Sequence, residues 1–282
     1  MDRLIKFLLK GSTGLYTLHG IIWKRAAKRR VLSVRRAVPN GAWYVIDAVS
    51  HNRSLVLTCR PMSLSENDVA DASRRYFNNW ATGYDRSWAQ IWFRENHRLI
   101  VQAVDPPRDA CILDLGCGTG QLAARLAEHV PDGGVVGIDP AEEMIRIARE
   151  HQRDRSNVRF ELGSSDAIPA DAGTFDVAVS TISFHHWTRP ADSLREIARV
   201  LKPKGRVLIL DLCRDRGFME VFDRLQRWLQ PSHAGMASTR DMRAYCSHAG
   251  FRNIQISKPR WLLMLTQVRL DECDTANAPP NL

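Results

Sequence analysis

The sequence predicts an α/β domain in which a doubly wound, mostly parallel sheet of seven strands is covered by helices on both faces. Three observations carry this. Short apolar runs at 111–115, 135–139, 157–161, 175–180 and 206–211 alternate with stretches of helical periodicity, the pattern of consecutive βαβ units. Runs such as Ile112-Leu113 and Val207-Leu208-Ile209-Leu210 are continuously apolar, as strands buried on both faces must be. Residues 254–257 and 261–268 then flank Lys258-Pro259-Arg260, a short connection suited to a closing antiparallel hairpin.

Ahead of the first of these strands, residues 65–104 read as helix in two pieces, with Thr82-Gly83 as the break. Tyr76, Phe77, Trp80, Tyr84, Trp88, Trp92 and Phe93 cluster there, and aromatic side chains at helical spacing are usually core. The strand 111–115 runs into Gly116-Cys117-Gly118-Thr119-Gly120, where glycines at alternate positions permit a sharp turn and close approach of a ligand. A helix over 121–129 follows. The next strand ends in Asp139, 19 residues after Gly120, where a nucleotide-type βαβ unit places the acid that meets a ribose. Ligands of such sheets sit beyond the carboxyl ends of the strands, so Asp114, Gly116, Asp139 and Asp166 are expected to converge. After Asp211 the alternation stops. Residues 215–229 and 239–249 read as helices, the second with Thr239 as N-cap and Gly250 just past its end. Between them, 230–238 contains Pro231, His233 and Gly235 and reads as a mobile loop.

The spacing of the loop narrows the ligand. A dinucleotide fingerprint, G-x-G-x-x-G, would place glycine where Gln121 stands. With Asp114 two residues before Gly116 the pattern is D-x-G-x-G-x-G, which resembles motif I of the class I S-adenosylmethionine-dependent methyltransferases. A carboxylate there is awkward beside a pyrophosphate and suits a sulfonium and an amino group. Further segments are similar to the same family, in the expected order. Pro140-Ala141-Glu142-Glu143-Met144 resembles the stretch whose apolar side chain covers the adenine, and Gly163-Ser164-Ser165-Asp166-Ala167 the loop whose acid accepts from the adenine amino group. Residues 174–180, ending in Ser180, resemble the fourth strand. Residues 194–211 resemble the helix, turn and fifth strand of the small-molecule group that includes ubiquinone/menaquinone-biosynthesis enzymes, with Pro203-Lys204-Gly205 in place of a Pro-Gly-Gly turn. Residues 76–85 are similar to the segment that closes over the cofactor, and Tyr84 is the candidate from it.

The resemblance implies a Rossmann-like methyltransferase fold with a helical cap (65–104 and 213–250), in a domain spanning 62–270. It implies S-adenosyl-L-methionine as cofactor, with Asp114, Gly116, Gly118, Gly120, Asp139, Pro140, Met144, Asp166, Ala167, Tyr84 and Ser180 as cofactor-binding residues. Ser183-Phe184-His185-His186-Trp187, just past the fourth strand, falls where this family meets its acceptor. Methyl transfer from a sulfonium needs positioning and exclusion of water, and a base only when the acceptor must lose a proton. His185 and His186 are the catalytic candidates, His185 before His186, since imidazoles titrate near neutrality.

Charge separates the chain into two parts. Residues 1–61 hold 12 Lys/Arg against 2 Asp/Glu, whereas 62–282 hold 28 against 29. The near-neutral domain argues against a nucleic-acid enzyme with a basic active face. For the basic part several readings stand open: an arm contacting anionic lipid or nucleic acid, a membrane-surface helix with Met1, Leu4, Ile5, Leu8 and Leu9 on one face, a targeting peptide, or a weakly ordered extension before a start at Met62. Composition favours the last. No apolar run is long enough to span a bilayer. Six cysteines (59, 111, 117, 213, 246 and 273) show no CxxC pair, which fits reduced thiols in the cytoplasm, and no zinc spacing suggests a metal. Residues 271–282, with Pro279-Pro280, are expected to be disordered.

Three function classes follow: a methyltransferase acting on a small molecule, a protein of the same fold that binds the cofactor without turnover, and an NAD-dependent oxidoreductase. The last lacks both the third glycine and a Tyr-x-x-x-Lys pair. Methylation of RNA or protein is a further alternative, although Ser183-Phe184-His185-His186 stands where amino-methylating nucleic-acid enzymes carry an Asn/Asp-Pro-Pro-aromatic tetrapeptide.

Overall fold

A computed structural model describes the backbone of residues 18–26, 29–37, 43–51, 54–61, 65–87, 89–230 and 232–270. The chain divides into two compact units, one of residues 1–65 with 228–231 and the other of residues 66–227 with 232–282. In the first, β1 (Leu18–Ala26), β2 (Arg29–Ala37), β3 (Trp43–His51) and β4 (Ser54–Pro61) form an antiparallel meander in that order. This departs from the weakly ordered extension that charge suggested. Runs such as Ile21-Ile22-Trp23 and Tyr44-Val45-Ile46 are β-branched and aromatic, and strand propensity of that kind is not registered by a count of charges. Residues 1–17, Met62, Trp88 and the tail 271–282 lie outside the described residues.

The second unit is the expected seven-stranded sheet. β5 (Cys111–Leu115), β6 (Gly134–Asp139), β7 (Val158–Leu162), β8 (Phe175–Thr181), β9 (Leu201–Leu212), β10 (Arg252–Arg260) and β11 (Leu263–Arg269) lie in the order β10-β11-β9-β8-β5-β6-β7. β5 is parallel to β6 and β8, β6 to β7 and β8 to β9, whereas β11 runs antiparallel to β9 and to β10. The order reverses between β5 and β8, and there the chain ends of β5, β6 and β8 open a crevice.

Helices follow as α1 (Glu66–Tyr84), α2 (Ala89–Val104), α3 (Gln121–Ala127), α4 (Glu142–His151), α5 (Pro190–Val200), α6 (Gly217–Leu229) and α7 (Thr239–His248). Alternate strand residues serve opposite faces. Ile112, Val135, Val177, Val179, Leu208 and Leu210 pack with Ile100, Val104, Leu122, Leu126 and Ile145 from α2, α3 and α4. Leu113, Leu115, Ile138, Ala178 and Ile209 pack with Leu194, Ile197, Met242 and Cys246 from α5 and α7. α2 and α7 are therefore sheet-covering helices, and the cap reduces to α1 and α6.

Smaller departures have local causes. α1 runs through Gly83 to Tyr84, so the break falls just after the predicted one. The N-cap of α7 is Ser238, whose side chain accepts from the Asp241 amide while Asp241 accepts from the Ser238 amide. Thr239 is the first helical residue, and Gly250 takes φ +87 beyond the end. β9 begins at Leu201 rather than 206, with a register shift against β8 and Lys204 at φ 66, a left-handed conformation that favours glycine.

α4 has no side-chain cap of its own. Instead Asn78 of α1 accepts from the Glu143 amide at 3.0 Å and donates to Glu142 Oε2 at 2.8 Å, capping α4 from the neighbouring helix. Removing both bonds in Asn78→Ala is expected to cost about 1 kcal/mol. Hydrogen exchange should then accelerate across α1 while the amides of β5 and β6 keep their protection.

Candidate active site

The glycine loop is tied down by its own amides. Gly116 N and Cys117 N both donate to the Ile138 carbonyl, Gly118 N donates to Asp139 Oδ2 at 3.0 Å and Gly120 N to the Cys117 carbonyl. A pyrophosphate site would leave such amides free for the ligand; here three of the four bond the end of β6 and the fourth bonds the loop itself. The glycines have separate tasks. Gly116 and Gly118 adopt φ +71 and +52, and a Cβ on Gly116 would come within 2.1 Å of Ser183 Oγ. Gly120, at φ +81, meets the Phe160 ring and Ala148, which makes it a packing glycine behind the loop.

A cleft opens above this loop. It is lined by Tyr84, Gly116, Gly118, Asp139, Pro140, Met144, Asp166 and His186 from the predicted set, together with Asn67, Ser73, Phe77, Thr181, Ile182, Ser183 and Arg189. Asp139 accepts from Ala141 N at 2.9 Å as well as from Gly118, which leaves lone pairs on both oxygens for hydroxyl groups. Met144 is 1% exposed and presents an apolar wall beside Pro140. Asp166 accepts from Ser164 Oγ and pairs with Arg189, so its carboxylate is held rigidly at the rim. Tyr84 stacks on Phe93 at 5.6 Å and meets Trp80 edge-on at 4.7 Å, which fixes its ring over the loop near Gly118.

Two acids lie close together under little solvent. Burial, then the charge of Asp139, pushes the Asp114 carboxyl up to about 7, against the opposing pull of the Ala123 amide. Burial pushes Asp139 up to about 6, partly offset by the amides of Ala141 and Gly118. Asp114 Oδ2 and Thr181 Oγ1 have no hydrogen-bond partner although both are buried. Burial first, and then the neighbouring Asp139, Asp85 and Asp114, raise the Tyr84 phenol well above its usual value, so it stays a donor.

The histidines separate into two environments. His185 is buried, with Nδ1 at 2.7 Å from Asp211 Oδ1 and its amide on Asp211 Oδ2 at 3.3 Å; it does not reach the cleft. His186 does, with its ring edge-on to Phe77 at 4.9 Å. The order of the two candidates is thereby reversed, because the 3-10 turn Phe184–His186 directs one imidazole inward and the next toward α1. Nδ1 of His186 lies 2.6 Å from the Ser232 carbonyl. A carbonyl only accepts, so Nδ1 carries the proton and Nε2 is the basic atom. Burial, then the neighbouring His185 and His233, hold His186 well below the ordinary histidine value.

Four other predicted residues are not brought to the cleft wall, Gly120 behind the loop being one of them. Asp114 is buried at the end of β5, Ala167 is exposed in a turn closed on Ser164 O, and Ser180 is fully buried within β8. The neighbours of Ser180 take its place: Thr181, and Ile182, a β-branched residue at φ 53. Asp85, Asp211 and Asp223 were not singled out by sequence. Asp85 Oδ1 accepts from Thr119 at 2.7 Å and Gln121 at 2.6 Å, joining α1 to the start of α3, and its only sequence signal is its place at the end of the 76–85 segment.

The reversal of strand order, the glycine turn and the paired acids define a doubly wound α/β protein with a ligand-binding crevice at the ends of β5 and β6. A family profile described as "Methyltransferase domain" matches residues 112–205. The chain is 29% identical to the Uncharacterized methyltransferase YcgJ of Bacillus subtilis, over 54% of this chain and 61% of that protein. It is 34% identical to a demethylmenaquinone methyltransferase of Lactococcus lactis (48% and 56%). It is 33% identical to a 2-phytyl-1,4-naphtoquinone methyltransferase of Thermosynechococcus vestitus (58% and 77%). The match thus spans less than two thirds of the first two relatives. The crystal structure of YcgJ superposes with a TM-score of 0.56 at 20% identity, covering 64% of this chain and 99% of that one, and shares the fold. The chain belongs to the class I S-adenosylmethionine-dependent methyltransferases of the ubiquinone/menaquinone-biosynthesis type.

The residues present fit that cofactor. An unpartnered buried carboxylate oxygen, loop amides spent on protein acceptors and an apolar wall beside a ribose-type acid suit a sulfonium nucleoside better than a dinucleotide.

Since the folded-state carboxyls of Asp114 and Asp139 lie above their ordinary value of 3.8, the native protein binds more protons than the unfolded chain between that value and about 7. Their contribution to stability is largest below this window and is lost as pH rises through it. Denaturant melts of the ligand-free protein should show the loss, and Asp114→Asn should remove most of it.

Proposed function

We propose that the chain transfers a methyl group from S-adenosylmethionine to a small-molecule acceptor that carries a phenol, enol or acidic carbon, with His186 taking the proton. The observation that carries this is the placement of His186 on the same cleft as Asp139, Met144 and Tyr84, with Nδ1 committed to Ser232 and Nε2 left basic. The cofactor supplies an electrophilic methyl group. Asp139 would bind the ribose hydroxyls, Pro140 and Met144 would pack on the adenine, Asp166 would accept from its amino group, and Asp114, buried beneath the cleft wall, would favour the cationic end through its charge. Tyr84 would close over them. Most of the acceleration then comes from holding the acceptor in line in a site cleared of water, and the base adds to it.

The ring of Phe77 in the cleft wall and the names of the relatives, which refer to demethylmenaquinone and 2-phytyl-1,4-naphtoquinone, support a ring-shaped, quinone-like or hydroxylated acceptor. Free cysteines at 111, 117, 213 and 246 support a reducing, cytoplasmic location. Among the described residues no helix is long and apolar enough to cross a membrane. The excess of Lys and Arg in residues 1–61 supports weak contact of that segment with anionic lipid or nucleic acid.

The test begins with calorimetric titration of S-adenosylhomocysteine, with NADH in a parallel cell, followed by labelled methyl transfer to a panel of phenols, naphthols and enols. Binding of the first with turnover of a panel member is the expected result. Binding without turnover on any acceptor would favour a protein of this fold that binds the cofactor without catalysis. Asp139→Ala should weaken S-adenosylhomocysteine by about 1–3 kcal/mol, the scale of a lost hydrogen bond at a buried partner. His186→Ala should lower kcat by about 10²–10⁴-fold with cofactor affinity unchanged. Because the imidazole is held neutral, kcat should stay flat through neutral pH and fall only well below the ordinary histidine range, as His186 becomes protonated.

A further inference from the structure

Behind His186 lies a polar network that the cleft does not use. Asp223 of the cap helix α6 is completely buried. Its Oδ1 accepts from His233 Nε2 at 2.8 Å and from the Met236 amide at 2.7 Å, and its Oδ2 accepts from Arg227, with Nε at 3.1 Å. One turn of chain is thus fastened at both ends to a single carboxylate. Within that turn the amides of Ala234 and Gly235 both donate to the His185 carbonyl at 3.0 Å, and the carbonyl of Ser232 accepts from His186 Nδ1. The sequence reading of 230–238 as a mobile loop is at odds with this, since buried Asp223 and a backbone carbonyl of the histidine turn hold it.

We infer that Asp223 is a positioning residue for His186: by anchoring the 232–236 segment it keeps the Ser232 carbonyl on Nδ1 and so determines which ring nitrogen is basic. The chain of contacts is short. A carboxylate accepts only, so His233 presents Nε2–H to Asp223, the segment is held by three further backbone bonds, and its carbonyl meets the next imidazole. No apolar residue at 223 could do this, because Met236 N and His233 would each lose an acceptor inside the protein. The groups facing His186 in this network are His185 with Asp211 from β9 and His233 with Asp223 and Arg227 from α6. The kinetic arm of the test rests on the reading of His186 as the base. The tautomer arm does not.

The experiment is nitrogen-15 NMR of histidine-labelled full-length protein with S-adenosylhomocysteine bound, His186 being assigned by its loss in His186→Gln. The wild type should show His186 as the Nδ1–H tautomer. In Asp223→Asn, which turns one acceptor into a donor, the resonances should move toward a mixture of tautomers, with S-adenosylhomocysteine affinity within about threefold of wild type. Should Asp223→Asn not fold, His233→Ala removes one tie and leaves Asp223 with Arg227 and Met236; it should shift the tautomer partway, and His233→Gln, which restores a donor, should return it. With an acceptor in hand, kcat in Asp223→Asn should fall about 10–100-fold with KM for the cofactor unchanged. A His186 tautomer unmoved by Asp223→Asn, or by His233→Ala where the former does not fold, overturns the inference. A moved tautomer with unchanged kcat upholds the positioning and sinks the base reading instead.

Discussion

The Asp139 carboxylate is the constraint from which the rest of the cofactor half of the cleft is organised. One oxygen holds Gly118 and the other holds Ala141, so a single side chain at the end of β6 fixes the glycine loop on one side and the entry to α4 on the other. Such charge-assisted bonds are roughly twice as strong as neutral ones. They also offset part of the cost of burying an acid beside Asp114, which otherwise pushes both carboxyls toward neutrality. The arrangement keeps two acids in reserve for a cationic partner, and the unpartnered Oδ2 of Asp114 shows where the reserve is not matched within the protein. α1 is joined to the same assembly through Asn78 on α4 and Asp85 on Thr119 and Gln121.

Much of this was legible in the sequence because it follows from backbone demands. Continuous apolar strands can only be covered on both faces, and Gly116, Gly118 and Gly120 all take positive φ that other residues resist. The acids at strand ends follow from the same topology. What was not legible depended on which way a side chain turns once a strand has ended. Ser180 and Thr181 differ by one position in an alternating strand, so a one-residue uncertainty sends the predicted residue into the core and its neighbour to the cleft. His185 and His186 are separated in the same way by a tight turn. Asp223 carries no local signal at all. It lies on a helix whose exposed side shows Phe218, Val221, Phe222 and Leu225 while the acid faces inward, the inverse of the usual pattern.

The surroundings of His186, where we propose that the acceptor sits, are built on different physics from those of Asp139. Around Asp139 the protein spends backbone amides, which are rigid and locally determined. Around His186 it relies on contacts from distant elements, with β9 supplying the Asp211 carboxylate, α6 supplying Asp223 and the following segment the Ser232 carbonyl and the His233 imidazole. Buried polar networks of this type are costly unless every member is satisfied, and they specify one arrangement when it is. A fold shared by enzymes with different acceptors can keep the first region unchanged and vary the second. The cap helices, which carry few strand contacts, are where such variation is least restricted.

Ile182 sits at the join between these two regions. A β-branched side chain at φ 53 carries strain on the order of 1–3 kcal/mol, held in place by its amide on the Leu210 carbonyl and by the wall of the cleft it helps to form. The same residue that shapes the junction thus draws on the stability of the whole domain. Thermostabilisation of this protein therefore has a trade-off built into one backbone angle: glycine at 182 would release the strain and loosen the turn that presents Ser183 and His186, so a gain in melting temperature there is set against the definition of the cleft wall.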